Sequence, residues 1–202
     1  MNTKVIATGS TGNATLIGSI LVDIGVPFSR IAQYEDQIEA VLLTHAHVDH
    51  IHTPTLKKLM ERHPLVVVVG GDHLNGFCEG VHCVKPDHLY DIGIARIMCT
   101  PVPHNAPNVA WHITMDGKRI FYCTDAGNLD DVYARDYDFY FVEANYGEEE
   151  IQERIRKKTE AGQYVHEYDA MVNHLSREQA TDWLNRNAND KSVITLMHQH
   201  VE

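Results

Sequence analysis

Short apolar runs separated by polar turns dominate the chain. Residues 5–7, 14–17 and 20–24 predict three strands, because brief aliphatic and β-branched runs bounded by turn formers favour extended backbone. The stretch Gly9-Ser10-Thr11-Gly12-Asn13 supplies the turn between the first two. Residues 40–44 and the β-branched run 65–69 predict two more strands. Between them Leu56, Leu59 and Met60 recur at helical spacing. Thr53 can cap the free amides of that helix, Pro54 suits its first turn, and His63-Pro64 ends it. Further strands are expected at 96–100, 109–114, 119–124, 139–143 and 193–197. A charged helix is expected at 148–160, and Ser176 opens another, with Glu178 and Gln179 in its first turn and Ala180, Trp183 and Leu184 facing inward. Strands with interspersed helices predict an α+β (α/β) fold of sheets covered by helices. No linker, repeat or low-complexity segment interrupts the pattern, so residues 1–202 read as one domain.

Composition narrows the function classes. The 202 residues are 44% hydrophobic and 22% charged, which is ordinary for a folded globular chain. Seventeen Lys and Arg stand against 28 Asp and Glu, a net charge of -11. That balance argues against a broad basic surface of the kind that grips long duplexes. No apolar run reaches the roughly 18–20 residues that span a bilayer. The first ten residues hold one lysine and no apolar core, unlike a secretory signal. A cytoplasmic setting without membrane contact is therefore expected. Cys78, Cys83, Cys99 and Cys123 lack paired C-x-x-C spacing and read as structural thiols.

The 14 histidines change the picture, because three of them cluster. His45, His47, Asp49 and His50 fall within six residues, just after the apolar run 40–44 and just before a helix. Extended backbone would point His45 and His47 to one side, and a following turn can swing Asp49 and His50 towards a neighbouring ion. Imidazole nitrogen and carboxylate oxygen suit Zn, Mn or Fe. His104, Asp125 and His198 recur in the same way after the runs 96–100, 119–124 and 193–197. Together these seven residues can hold two divalent cations: His45, His47 and His104 one, Asp49, His50 and His198 the other, with Asp125 bridging. Two-metal hydrolases hold such ions about 3.5–4 Å apart and draw the nucleophile from a bridging water.

The segment His45-Ala46-His47-Val48-Asp49-His50 resembles the H-x-H-x-D-H signature of the metallo-β-lactamase superfamily, and His104, Asp125 and His198 match its later motifs in order. The resemblance covers nearly the whole chain. It implies a four-layer αβ/βα sandwich with two cations, Zn or Mn, at one edge of two facing mixed sheets. Further segments resemble the WalJ-like (YycJ-type) exonucleases, relatives of RNase Z: Gly9 to Asn13, Val22-Asp23-Ile24-Gly25, Pro103-His104-Asn105-Ala106, Thr124-Asp125-Ala126-Gly127, Glu143-Ala144-Asn145 and His174-Leu175-Ser176. Asn105 and Asn173 depart from that branch, which carries Asp and Gly there. The resemblance implies a phosphodiesterase acting on nucleic acid or a nucleotide, with Asp49, Glu143 and His174 as its catalytic residues. His174 would give a proton to the leaving oxygen and Glu143 would orient it. His198 or His200 fills the last ligand position, and the strand-then-His order favours His198.

Two points stay open at this level. Arg154, Arg156, Lys157 and Lys158 read as a solvated helix face paired with Glu148 to Glu150 and Glu153, or as a contact for phosphate. The fold also hosts lactonases, thioesterases and cyclic-nucleotide phosphodiesterases, and a metal-binding scaffold without turnover would use the same ligands.

Overall fold

The computed structural model describes residues 1–198. Among them twelve strands form two six-stranded sheets. The first sheet runs in chain order through β1 (Thr3–Ala7), β2 (Ala14–Ile17), β3 (Ile20–Val22), β4 (Ala40–Leu43), β5 (Val67–Gly71) and β6 (Val81–Val84). β1 to β3 pair antiparallel and β3 to β6 parallel. The parallel half needs three crossovers: α1 (Phe28–Ile31) and α2 (Thr53–Arg62) lie in the first two, and the third, from β5 to β6, holds only the short 3-10 turn Asp72–Leu74. The second sheet holds β7 (Tyr90–Asp91), β8 (Arg96–Val102), β9 (Asn108–Met115), β10 (Lys118–Cys123), β11 (Phe139–Glu143) and β12 (Val193–Met197), again in chain order across the sheet. β7 to β10 form an antiparallel meander, and β11 and β12 add in parallel. The chain between β11 and β12 forms α3 (Glu148–Glu160), α4 (Glu167–Asn173) and α5 (Arg177–Asn187).

The period-two pattern of the strands explains the layers. Ala40 and Leu42 face the other sheet, whereas Val41 and Leu43 face Leu56 and Leu59 of α2. On β10, Ile120 and Tyr122 enter the space between the sheets, and Phe121 and Cys123 pack with Trp183 and Leu184 of α5. Three apolar layers thus separate helix, sheet, sheet and helix, the four-layer sandwich expected. Trp111 ties the sheets together. It is fully buried on β9, and its indole N–H donates across the gap to the Leu43 carbonyl at 3.2 Å, directly before the histidine-rich loop.

Several boundaries differ from expectation for local reasons. β3 stops at Val22 because Asp23 turns left-handed, with φ 58°. The strand expected at 65–69 runs instead over Val67–Gly71, since Leu65 is 92% exposed in the turn after α2. Thr53 does not cap α2. His52 takes the cap position without a side-chain capping bond, and its ring meets the Thr55 hydroxyl at 2.7 Å. Ser176 does cap α5, in a reciprocal box with Gln179. β6, β7, α1 and α4 carry no clear periodicity and were not expected.

Truncating Trp111 to Ala should lower stability by about 3–5 kcal/mol, the range for a large aromatic removed from a core. Trp111→Phe should cost about 1–3 kcal/mol, because it leaves the Leu43 carbonyl without its buried donor. Urea denaturation followed by circular dichroism checks both.

Candidate metal centre

The strand directions bring distant residues to one edge. β4, β8, β10, β11 and β12 all end there. Thr44 to His50 follows β4, His104 follows β8, Asp125 follows β10, Glu143 ends β11 and His198 follows β12. His47 to Ile51 turn tightly, with the His50 and Ile51 amides donating to the His47 carbonyl at 2.9 and 2.8 Å. That turn rests on Gly25, where a Cβ would lie 1.7 Å from the Asp49 carbonyl oxygen, so only glycine fits. Asp125 and His198 both adopt left-handed backbone, with φ 57° and 51°. Such a conformation is uncommon outside glycine and turns each side chain back over its strand end.

Asp125 is the hub. Its Oδ2 lies 2.9 Å from His50 Nε2, 3.6 Å from His45 Nε2 and 4.0 Å from His104 Nε2. Its Oδ1 meets His198 Nδ1 in a short contact and lies 3.7 Å from His174 Nδ1. His45 Nε2 and His47 Nδ1 are 3.0 Å apart, and His104 Nε2 is 3.4 Å from His47 Nδ1. Donor atoms of His45, His47, His104 and Asp125 all lie within 4.8 Å of one another, as do those of Asp49, His50 and Asp125. A third group joins Asp125, Glu143, His174 and His198.

Outer contacts decide which ring nitrogens face the centre. The Asp23 carboxylate accepts the Thr44 amide at 2.9 Å and the Thr44 hydroxyl at 2.9 Å. The same hydroxyl oxygen then accepts from His45 Nδ1 at 3.0 Å, leaving His45 Nε2 as a bare lone pair turned inward. His104 donates from Nδ1 to the Asn173 carbonyl at 3.0 Å, which also frees its Nε2. His50 Nδ1 is taken up by Asp23 at 2.7 Å. Asn108 holds the backbone under the hub, donating to the Thr124 and Asp125 carbonyls at 2.9 and 2.7 Å.

The buried charges follow this arrangement. Burial, with the neighbouring His50, pushes the His45 pKa down to about 2, so its ring is neutral. Burial also lowers His104. Burial opposes charge on His198, yet hydrogen bonds to Asp125 and Glu143 push its pKa up to about 10. Burial works likewise against His50, but Asp23 and Asp125 lift it well above the usual imidazole value. For Asp125, burial is outweighed by His198 and His50, which hold its carboxyl well below the usual range. Protons on His50 and His198 thus balance the buried Asp125 carboxylate, the compensation that a divalent cation also offers.

The donor set fits such a cation. Ligand atoms around a tetrahedral ion with bonds of about 2.1 Å stand about 3.4 Å apart, and the His45–His47 and His104–His47 nitrogen separations are 3.0 and 3.4 Å. All seven residues expected as ligands from the sequence meet at this edge. Their grouping differs in one respect. His198 turns its Nδ1 to Asp125 and Glu143, in the group with His174, and does not join Asp49 and His50. His200 lies outside the described residues. Three supporting residues had no assigned role: Asp23, Thr44 and Asn13, whose amide lies 2.9 Å from His50 Nε2. Asp23 had a visible signal, a lone acid inside the apolar run Ile20 to Val26.

A profile of the beta-lactamase superfamily domain matches residues 21–198. The chain belongs to the beta-lactamase superfamily. Solved structures agree on the metallo-β-lactamase fold of this superfamily member. The metallo-beta-lactamase fold protein YhfI from Bacillus subtilis superposes with a TM-score of 0.71 at 18% identity, covering 99% of this chain and 86% of that one. Human tRNase Z, short form, gives 0.71 at 15% identity, with coverages of 98% and 93%. Zn(2+)-bound PqqB from Methylobacterium extorquens gives 0.72 at 13% identity, with 98% and 89%. Among curated proteins no sequence match was found.

Adding Zn or Mn at 100 times its dissociation constant should stabilise this superfamily member by about 2.7 kcal/mol, a rise in melting temperature of roughly 5–10 °C at about 2–4 °C per kcal/mol. Asp125→Asn keeps a residue tolerant of left-handed backbone but removes the central charge. It should abolish that rise and lower the metal content, read by thermal denaturation and elemental analysis.

Proposed function

We propose that the protein is a metal-dependent phosphodiesterase, a nuclease or nucleotide phosphodiesterase of the WalJ-like exonuclease type that works with two divalent cations, Zn or Mn. The contact between Glu143 and His174 beside the ligand cluster carries this reading. Glu143 is fully buried, and its Oε2 accepts the Ala126 and Leu175 amides at 2.9 and 3.3 Å. Its Oε1 faces His174 Nδ1 at 2.6 Å. A carboxylate fixed in this way orients the imidazole and steadies its protonated form. A thiolate leaves a thioester without such a donor, whereas the departing alkoxide of a phosphodiester gains from one.

The roles of the chain's own groups follow. His174 lines a cleft of about 500 Å³ together with His47, Asp49, His104, Asp125 and His198. With Nδ1 held by Glu143, its Nε2 is the atom that passes a proton to the leaving oxygen. Asp49 stands 3.8 Å from His50 Nε2 and serves both as ligand and as acceptor for the attacking water. When bound, two divalent cations supply charge for the phosphoryl oxygens and lower the pKa of water. The rigid Asp23–Thr44–His45 and His104–Asn173 contacts hold the ligands in place before substrate arrives, as preorganised catalysis requires. The human tRNase Z neighbour is consistent with a phosphodiester substrate, and the acidic surface favours a short strand, an end or a small nucleotide over a long duplex.

His174→Ala should lower kcat on a thymidine dinucleotide, whose leaving group is an alkoxide, by about 10²–10⁴-fold, and far less on bis-p-nitrophenyl phosphate, whose nitrophenolate leaves without a proton, with metal content unchanged by elemental analysis. The same assay includes a lactone and a thioester, each with Zn or Mn. Faster turnover of either, with no dependence on His174, would instead identify a small-molecule hydrolase of the same fold.

A further inference from the structure

The cleft has a second wall, away from the ligand cluster, built by α3 and α4. Ile151 and Ile155 of α3 pack with Tyr146, Val165, Ala170 and Met171 in a small apolar cluster. Arg154 stands three residues after Ile151 and one before Ile155, so it shares the inward face of the helix. Its basic neighbours behave differently. Arg156 and Lys157 pair with Glu153 at 2.8 and 3.3 Å on the outer face, and Lys158 pairs with Glu167 at 2.6 Å. Arg154 forms no hydrogen bond or ion pair among the described residues, and its Nε is buried without a partner. It is also the one Lys or Arg that lines the cleft. Other arginines also lack a carboxylate partner, but among the described residues only Arg154 has a guanidinium nitrogen shielded from solvent with no partner at all. A buried donor left unmatched is destabilising by itself and is satisfied when an anion supplies the acceptors.

We propose that Arg154 is the anion anchor of the cleft and receives a second, non-scissile phosphate of the substrate. This rests on the phosphodiesterase reading above and sharpens it. The preferred substrate is a nucleotide or oligonucleotide end that carries at least one phosphate beyond the one cut. Planar guanidinium suits phosphate in two-pronged contact, which a lysine does not reproduce. Glu167, on the same wall, presents a buried Oε2 that also lacks a partner. It offers an acceptor to a hydroxyl or amino group of the same ligand. Arg154 is a positioning residue in this scheme, since it holds the substrate at a distance from the reacting atoms.

The test compares metal-loaded wild type, Arg154→Gln and Arg154→Lys on thymidine dinucleotides with no terminal phosphate, a 5′-phosphate or a 3′-phosphate. Wild type should prefer one of the phosphorylated forms through a lower KM. Arg154→Gln should reduce that preference, as the ratio of kcat/KM values, by about tenfold or more, carried by KM, and Arg154→Lys should restore only part of it. A preference kept intact in Arg154→Gln, no preference in wild type, or an equal loss on all three dinucleotides would overturn the proposal, the last by assigning Arg154 a structural role. Cleavage of none of the dinucleotides by metal-loaded wild type would count against the phosphodiesterase reading instead. Equilibrium binding of the phosphorylated dinucleotides then decides the anchor separately: a tenfold weaker complex with Arg154→Gln upholds it, and equal affinity rejects it.

Discussion

One buried carboxylate organises the functional edge of the sandwich. Five imidazoles, from His45, His50, His104, His174 and His198, lie within 4.0 Å of Asp125 oxygens. A carboxylate moved from water into this surrounding is tolerable only with opposing charge or several donors close by. The loops that follow four different strands therefore have a common destination. The left-handed backbone at Asp125 and His198 is the local strain that this convergence imposes. The same demand makes the cluster suited to cations, because protons on His50 and His198 and divalent ions answer the same electrostatic need.

The sandwich contributes stiffness to the site and Asp125 contributes charge. Each of the three apolar layers ends against this edge. Leu43 closes the layer under α2 and, through its carbonyl, meets Trp111 of the opposite sheet. The next residue, Thr44, connects Asp23 to His45. Core packing and ligand orientation are thus consecutive links in one short stretch of chain. A loosened inter-sheet contact would reach the ring of His45 through a single residue. On the other side, His104 is aligned by the Asn173 carbonyl at the end of α4, and Glu143 by the amide of Leu175. The segment 173–175 therefore supports His104 and Glu143, both far from it in sequence, and contributes His174 itself.

Much of this was legible in the sequence, for identifiable reasons. Strands with nearly continuous apolar runs, such as 109–114 and 119–124, emerged near their observed bounds because both faces of their sheet are buried in apolar layers. The residues that meet at the edge were legible as a set: His45, His47, Asp49 and His50 cluster in six residues, and His104, Asp125 and His198, each ordinary on its own, follow later apolar runs. Harder to see were β6 and α4. His82 and Cys83 are exposed within β6, and α4 buries little beyond Glu167, so neither carries an apolar period. Tertiary context made them. The grouping of His198 with Glu143 and His174 was likewise invisible, since it depends on a backbone φ of 51° that no spacing encodes. Asp23 was read only as a position inside the strand expected at 20–24, although an acid inside Ile20 to Val26 could be buried only with partners supplied from elsewhere.

Charge sets the final constraint on the proposed activity. A field from 11 excess negative charges repels a polyanion at long range, so electrostatic steering cannot bring a phosphate chain to the cleft. Screening confines that repulsion to roughly 8–10 Å at physiological salt. Recognition must then be made at contact, where cations at the Asp125 cluster and a guanidinium without a carboxylate partner act over a few ångströms. Helix α3 meets this condition by its own pairing pattern. Glu153 neutralises Arg156 and Lys157 on the outside, and only the inward arginine keeps its charge uncommitted. Had the same four basic residues all faced solvent, their charge would have been screened and shared among the surrounding acids, and the cleft would present one cationic locus instead of two.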